Sequence, residues 1–319
     1  MKVTNLTASA LAGVVLAFAA GAEAQEFPER PINLIVPFNA GGGTDLLIRG
    51  FAPHFADAIG GNVFVSNTAG GGGTVAAGAL AGQRPDGYQL GYFSITVSTI
   101  QPQINDVPYG LDSWSPICSV AASPTVLFTS ESNPMTTIEE AVEAIRAEPG
   151  RYLYGSSGPG AITHLTAVAA FQGLGVIDDV RHLPFQGSGP ALQGIAAGTI
   201  QFFGDTEILM QGGGLRPLVV FNSERLASMP DIPTAAEIGI EAPLNELYLW
   251  GGFFAPAGTP PEVVQQLSDA CGEAIASEGF QAFAEQTNTV LAYRNAEEFD
   301  AFYRAQYESN AAIIEAAGL

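Results

Sequence analysis

The stretch "PINLIVPFNAGGGTDLL", residues 31–47, carries an apolar run straight into three glycines and then into a helical pattern. The spacing predicts a strand over 31–38 and a helix over 44–59. A strand, a glycine turn and a helix in that order begin a layered α/β fold. They also leave the first backbone N–H groups of the helix without intrahelical partners, at the positive end of its dipole. A phosphate or carboxylate binds there without any basic side chain.

The theme repeats along the chain. "NVFVSN" and residues 88–95 read as further strands, and a short helix follows the glycine run 70–73. "RYLYGSS" leads to a helix over 161–171, "RHLPF" leads to one over 189–197 closed by Gly198, and "TIQFFGD" is the next strand. Three later helices carry N-terminal signals: Thr136 with Glu139, Thr259 with Pro260 at the first helical position and Glu262, and Asn295 with Glu298. Two segments echo one another, "VLFTSE" ending at Glu131 and "LVVFNSE" ending at Glu224. We read them as the two strands by which the chain crosses into a second lobe and returns. That puts lobe 1 at 25–125 and 222–319 and lobe 2 at 126–221. One large domain is the alternative.

Composition bounds the partners. There are 32 acidic residues against 11 basic ones, Lys2 is the only lysine, and the net charge is −21. Nucleic acid and anionic membranes need basic clusters, and none exists here. Lys2, the apolar run 8–20 and the small-residue site Ala22-Glu23-Ala24 read as a secretory signal cleaved after Ala24. The run is too short for a comfortable membrane span. An exported, periplasmic chain follows. Two cysteines, Cys118 and Cys271, are too far apart for zinc or Cys-x-x-Cys redox spacings. In an oxidising compartment they either pair or stay two buried thiols.

Four glycine-rich turns each lie between a predicted strand and a predicted helix: 41–43, 70–73, "GSSGPG" at 155–160 and "QGSG" at 186–189. For one turn, ordinary strand-to-helix geometry is explanation enough. Four brought together between two lobes would make an anion cradle. Gly71-Gly72-Gly73-Thr74-Val75-Ala76 formally fits a dinucleotide fingerprint, but the fit comes from a glycine run and no acidic residue ends the next strand at the required distance. A phosphate-binding loop of the lysine type is excluded. Only three histidines exist, His54, His164 and His182, and none stands in a metal-binding spacing, so neither cofactor nor metal is expected. A secreted hydrolase is the alternative function, with Ser156 or Ser157 as nucleophile, His164 as base and Asp205 as orienter. "GSSGP" is not the nucleophile-elbow string.

Six segments together resemble the tripartite tricarboxylate transporter receptors, the Bug receptors. They are "RPINLIVPFNAGGGTD", "RPDGYQL", "GSSGPGAITHL", "LPFQGSGPALQGIAAGTIQFFGD", "MPDIPTAAEIG" and "GGFFAPAGTPPEVVQQL". The resemblance implies a two-lobed periplasmic solute-binding protein of the Venus flytrap, type II-like class. Its lobes close on a small organic acid, a dicarboxylate or an aromatic carboxylate, and deliver it to integral membrane permease subunits. It implies a monomer and no enzymatic activity. It also implies that the loops 38–45 and 94–99 contact the ligand from the first lobe, with Phe38, Gly42, Gly43, Thr44, Asp45, Gly71, Ser94 and Thr96. Ser156, Ser157, His164, Gly187, Ser188 and Asp205 then stand on the second wall. Asp45 either orients its loop or caps the helix. Two departures from the family pattern stand out: Phe185-Gln186-Gly187 where relatives often carry Tyr-Lys-Gly, and Asn67-Thr68-Ala69-Gly70-Gly71 where they often carry Asn-Arg-Pro-Gly-Ala. A cation beside the cleft is thereby lost. Phe38, Tyr248 and Trp250 either line a pocket for an apolar body or pack in the core.

Overall fold

A computed structural model describes residues 27–319. The expected leader and its cleavage site lie outside them. The first half of the chain runs β1 (Ile32–Val36), α1 (Gly43–Ile59), β2 (Val63–Asn67), α2 (Thr74–Ala81), β3 (Gln89–Ser94), α3 (Gln101–Ile104), β4 (Trp114–Ser130) and α4 (Ile138–Ala147). Then come β5 (Leu153–Ser156), α5 (Ile162–Gly173), β6 (Arg181–Pro184), α6 (Ser188–Ala196), β7 (Phe202–Thr206) and β8 (Leu215–Phe221). The chain ends with β9 (Tyr248–Pro256), α7 (Pro261–Ala276), α8 (Glu278–Gln286), β10 (Leu291–Arg294) and α9 (Ala296–Ala316).

The strands lie in the order β2-β1-β3-β9-β4-β7-β5-β6, with β10 and β8 also paired to β4. Each end of this array is a parallel unit: β2, β1 and β3 at one end, and β7, β5 and β6 at the other. Parallel units bury both faces, so their strands read as continuous apolar runs. The central antiparallel strand β9 is buried on both faces as well, and its adjacent phenylalanines point to opposite ones: Phe254 packs in one buried cluster with Phe93, Phe299 and Tyr303, while Phe253 packs in the other with Phe51, Phe55 and Phe280. Phe202 and Phe203 divide the same way in the second half.

The strand β4 joins the two lobes. From Trp114 to Pro124 it pairs with β9, and from Thr125 it pairs with β7 as far as Phe128 on one side and with β8 as far as Ser130 on the other. The sequence pattern marks only "VLFTSE" as a strand here. The preceding ten residues contain Pro116 and Pro124, which break a strand pattern locally. The strand accommodates them with irregularities at Pro116/Cys118 and Ser119/Ala121. After β8, Thr234 bridges Val220. Just before β9, the Leu247 carbonyl accepts the Thr125 N–H at 2.8 Å and the Leu247 N–H donates to Phe221 at 3.2 Å, so β4, β8 and the entry to β9 meet at one point.

Cys118 of β4 and Cys271 of α7 form a disulfide, with Cα atoms 6.5 Å apart and 153 residues between them in sequence. The Asn295–Glu298 capping box is present as expected. The other two helix starts sit one residue later than expected: Thr137, not Thr136, accepts the Glu140 N–H, and α7 begins at Pro261 after Pro260. Thr259 Oγ1 is turned back onto the Pro256 carbonyl instead. Among the described residues no helix is long and apolar enough to cross a membrane.

Candidate functional site: a cleft closed by helix ends

The glycine turn 41–43 is held by the side chain of Asp45 in the first turn of α1. Its carboxylate accepts the Gly41 N–H at 2.9 Å, Arg49 Nε at 3.0 Å and Asn67 Nδ2 at 2.9 Å. Asn67 Nδ2 also donates to the Phe38 carbonyl at 2.9 Å, so the end of β2 and the end of β1 are tied to one carboxylate. Burial by itself would raise the Asp45 pKa. The bonds from Arg49, Gly41 and Asn67 outweigh it and hold the carboxyl below its ordinary value. Asp45 thus orders the loop. The N-cap is Gly42, with no side-chain cap.

The segment after β3 is not a loop. A π-helical turn over 96–100 runs into α3, and it brings Thr96 to the second lobe. The Thr96 hydroxyl accepts the Ile162 N–H, at the start of α5, at 2.8 Å. Gln101 Nε2 donates to the Pro159 carbonyl at 2.8 Å, and the Asn39 N–H donates to the Gln186 carbonyl at 3.4 Å. These bonds close the cleft. The lips meet at backbone: a Cβ on Gly189 would stand 2.5 Å from the Ala40 carbonyl oxygen, so only glycine permits this approach. Of the four glycine turns, those at 41–43 and 186–189 meet at the cleft. The 70–73 turn packs against Gly158 and Pro159 at its rim.

Closure leaves two adjoining chambers. The polar one is lined by Phe38, Gly42, Gly43, Thr44, Asp45, Ser94, Thr96, Ser157, Ile162, Thr163, Ser188, Asp205 and Leu249, and has a volume of about 10 Å³. The second shares Gly43, Thr44, Ser94 and Leu249 with it, adds Leu47, Tyr92, Ala121, Ser123, Thr206, Ile208, Trp250 and Thr289, and has about 30 Å³. A chamber of that size admits one or two waters. At the junction the buried Ser94 Oγ has no hydrogen-bond partner among the described residues. An unpaired buried hydroxyl costs about 1–3 kcal/mol, so this group is placed to meet something in the cleft.

Asp205, at the end of β7, is 2 % exposed. It accepts the Ser188 hydroxyl on Oδ2 and the Thr206 N–H on Oδ1 at 2.7 Å. Burial pushes its carboxyl up to about 6, although those hydrogen bonds act to lower it. The two acidic lining residues are Asp45 and Asp205, and among the described residues no arginine or histidine lines either chamber. The donors that an anion could use are the amino ends of α1, α5 and α6, which converge here with lengths of 17, 12 and 9 residues.

Four of the expected residues stand outside both chambers: Gly71, Ser156, His164 and Gly187. His164 stacks on His182 at 4.1 Å between ring centres, and Tyr154 stacks beside both. Its Nδ1 accepts the Gly160 N–H at 3.1 Å. Burial, and for His164 also the neighbouring His182, lower both histidines to about 4, so the pair is neutral at neutral pH. Ser156 Oγ lies 2.7 Å from His182 Nε2, and Ser157 Oγ lies 2.8 Å from Thr163 Oγ1. None of these bonds joins any two of Ser156, Ser157, His164 and Asp205, and the hydrolase triad expected as the alternative is not assembled. Tyr248 turns its hydroxyl to Asn222 at 2.6 Å, outside the chambers, whereas Trp250 lines one. Among the described residues no group of three or more metal-binding side chains occurs.

Residues 47–319 match the model of the tripartite tricarboxylate transporter family receptor. The chain belongs to that family. A UPF0065 protein of Bordetella pertussis is 31% identical over 310 residues, covering 96% of this chain and 95% of that one. Among solved structures, the periplasmic binding protein BugD superposes with a TM-score of 0.82 at 28% identity, covering 92% of this receptor and 99% of BugD. Rpa4515 of R. palustris, solved with adipate, superposes with a TM-score of 0.83 at 25% identity, covering 92% and 98%. The two-lobed architecture and the cleft between the lobes therefore belong to a receptor for transport. Of the cleft residues that sequence reading missed, Leu47, Ile162 and Thr163 lie in helices that follow glycine turns, whereas Ile208, Leu249 and Thr289 come from elements without a glycine turn to mark them.

Proposed function

We propose that this receptor binds a small organic carboxylate between its lobes and passes it to the membrane permease of a tripartite tricarboxylate-type transporter. The observation that carries the reading is the convergence of three helix amino ends and the unpartnered Ser94 hydroxyl in a cleft lined by no basic side chain among the described residues. Helix ends hold a carboxylate by oriented N–H groups, each worth about 0.3–1 kcal/mol and up to about 2 kcal/mol when partly buried. The Ser94 hydroxyl adds one donor. The ligand-bound relative Rpa4515, with its adipate, supports the same chemistry.

In this reading the protein is a monomer and not an enzyme, exported to the periplasm with residues 1–24 removed. Lobe 1 comprises 25–124 and 248–319 and lobe 2 comprises 125–247, the second boundary being taken where Leu247 meets Thr125. Phe38, Gly42, Gly43, Thr44, Ser94 and Thr96 serve the ligand from lobe 1, and Ser157, Ser188 and Asp205 from lobe 2. Thermal melting against a library of carboxylates, neutral solutes and amines tests it. A receptor gains stability as RT ln(1 + [L]/Kd) and returns the ligand chemically unchanged. Stabilisation by amines or neutral solutes with none by any carboxylate, or release of a hydrolysed product, would contradict the proposal.

A further inference from the structure

An open groove of about 800 Å³ lies beside the middle of β4. Val290 in its wall is tied to that strand, its carbonyl accepting the Ala122 N–H at 3.0 Å and its N–H donating to Ser123 Oγ at 3.2 Å. One side is the face of α8 that carries Glu278, Ala282 and Glu285. The other is Glu207, just after β7, with residues 226–228 after β8. On the boundaries proposed above the two sides belong to different lobes. They meet at the floor, where Glu207, 8 % exposed, accepts Asn288 Nδ2 at 2.6 Å and the Ser228 hydroxyl at 2.8 Å. Both donors are neutral, and an ionised carboxylate has about four acceptor positions, so about two remain open. Among the described residues no basic side chain lines the groove, and none of Glu207, Glu278 and Glu285 forms an ion pair. Val290 adds an apolar surface, 48 % exposed.

Resting on the transport-receptor reading, we propose that this groove docks a segment of the membrane permease that presents an arginine or lysine flanked by apolar side chains. The cation goes to Glu207 and the two exposed glutamates, and the apolar groups lie on Val290 and Leu226. Charge complementarity selects this occupant: a second copy of a chain with net charge −21 brings more acid to an acidic groove, and an anionic lipid surface is repelled from it. A partner seated here touches both lobes at once, and it comes within one residue of the ligand, since Thr289 lines both the groove and the larger cleft chamber.

The affinity of the full mature receptor for the permease subunits reconstituted in nanodiscs, with succinate, adipate and benzoate present together, tests this. Glu285→Lys and Ala282→Trp, both on the exposed face of α8, are each expected to weaken docking about tenfold or more, the first by charge and the second by filling the groove. Glu207→Gln keeps an acceptor for Asn288, removes the charge and should act in the same direction, with the thermal midpoint little changed in all three. Docking of the parent should weaken as salt rises, and that of Glu285→Lys less steeply. A photo-crosslinking side chain in place of Ala227 should capture a permease segment that contains a basic residue. Parental affinity in the folded variants, or capture of a second copy or of a segment without a basic residue, would overturn the groove assignment and leave the receptor reading standing. A parent that does not dock on the permease at all would overturn the groove and the delivery step together, while ligand binding is judged separately by the melts above.

Discussion

The hydroxyl of Thr96 accepts the backbone N–H of Ile162 at 2.8 Å, joining a helical turn of one lobe to the start of a helix in the other. Both residues are buried, Thr96 at 1 % exposure. A bond of this kind exists only when the lobes are shut, so it belongs to the closed state and to the affinity that closure brings.

Thr96→Val keeps shape and removes the acceptor. The Ile162 N–H is then unpaired in the closed form, a cost of about 1–3 kcal/mol. Ligand affinity should fall about tenfold or more, whereas the thermal midpoint of the ligand-free protein should change little. Calorimetry and a melt on the same sample check this. Undiminished affinity would mean that Thr96 does not latch the cleft.

Asp205 gives binding a pH dependence. Its carboxyl titrates at about 6 in the folded chain, and an anionic ligand beside it favours the protonated form. Binding therefore takes up a proton, and affinity should fall as pH rises through 6, by roughly tenfold between pH 6 and 8. Asp45, held below the ordinary carboxylate range, stays ionised throughout. Asp205→Asn should flatten the profile. Titrations at several pH values in buffers of different ionisation enthalpy measure the proton uptake directly.

Stability responds differently, because two signs compete. Asp205, raised from 3.8 to about 6, stabilises the fold most at low pH, and that contribution is lost as pH rises through 6. His164 and His182, lowered from 6.5 to about 4, contribute stability that is present above 6.5 and lost as pH falls through about 4. The two histidines together outweigh the single carboxyl over this range, so urea unfolding of the parent should show stability falling as the pH is lowered from 7 to 5. In Asp205→Asn the opposing contribution is gone, and the fall over the same range should be steeper.

The Cys118–Cys271 disulfide closes a loop of 153 residues between β4 and α7, and both cysteines are fully buried. Constraining an unfolded loop of that length is worth about 3–5 kcal/mol. Cys118→Ala with Cys271→Ala should lower the unfolding free energy in urea by that order, with the m-value rising. Ligand affinity should stay within twofold, since neither cysteine lines the cleft.

Much of the first lobe was legible locally because β1, its glycine turn and α1 announce themselves by apolar run, glycine and period. The segment 95–104 did not. Its Ile-Thr-Val-Ser-Thr string favours extended structure, and it is helical because α9 packs on it from two hundred residues away: Asn310 Nδ2 binds Thr99 Oγ1 at 2.6 Å and the Tyr303 hydroxyl donates to the Ser98 carbonyl at 3.4 Å. The upstream part of β4 was hidden by its prolines. In the site, Phe38, Gly42, Gly43, Thr44 and Asp45 follow from one contiguous turn, while Leu249, Trp250 and Thr289 reach the cleft only through the crossover into β9 and the approach to β10. His164 is drawn away from the cleft by His182 and Tyr154, a stack formed by strands that no local pattern pairs.

The most direct test of a carboxylate held at helix ends is a calorimetric titration of the parent and of Gly43→Val with the carboxylate that binds the parent best. Gly43 opens α1, and a Cβ there would stand 3.1 Å from Ile208 Cγ2 and 3.4 Å from Asp205 Oδ1, so the substitution acts by filling space between the lobes rather than by straining the turn. The account predicts one site of micromolar affinity or tighter in the parent, about −8 kcal/mol, and no measurable binding in a variant that remains folded with a stability loss of about 1–2 kcal/mol. Binding in Gly43→Val within threefold of the parent would contradict it.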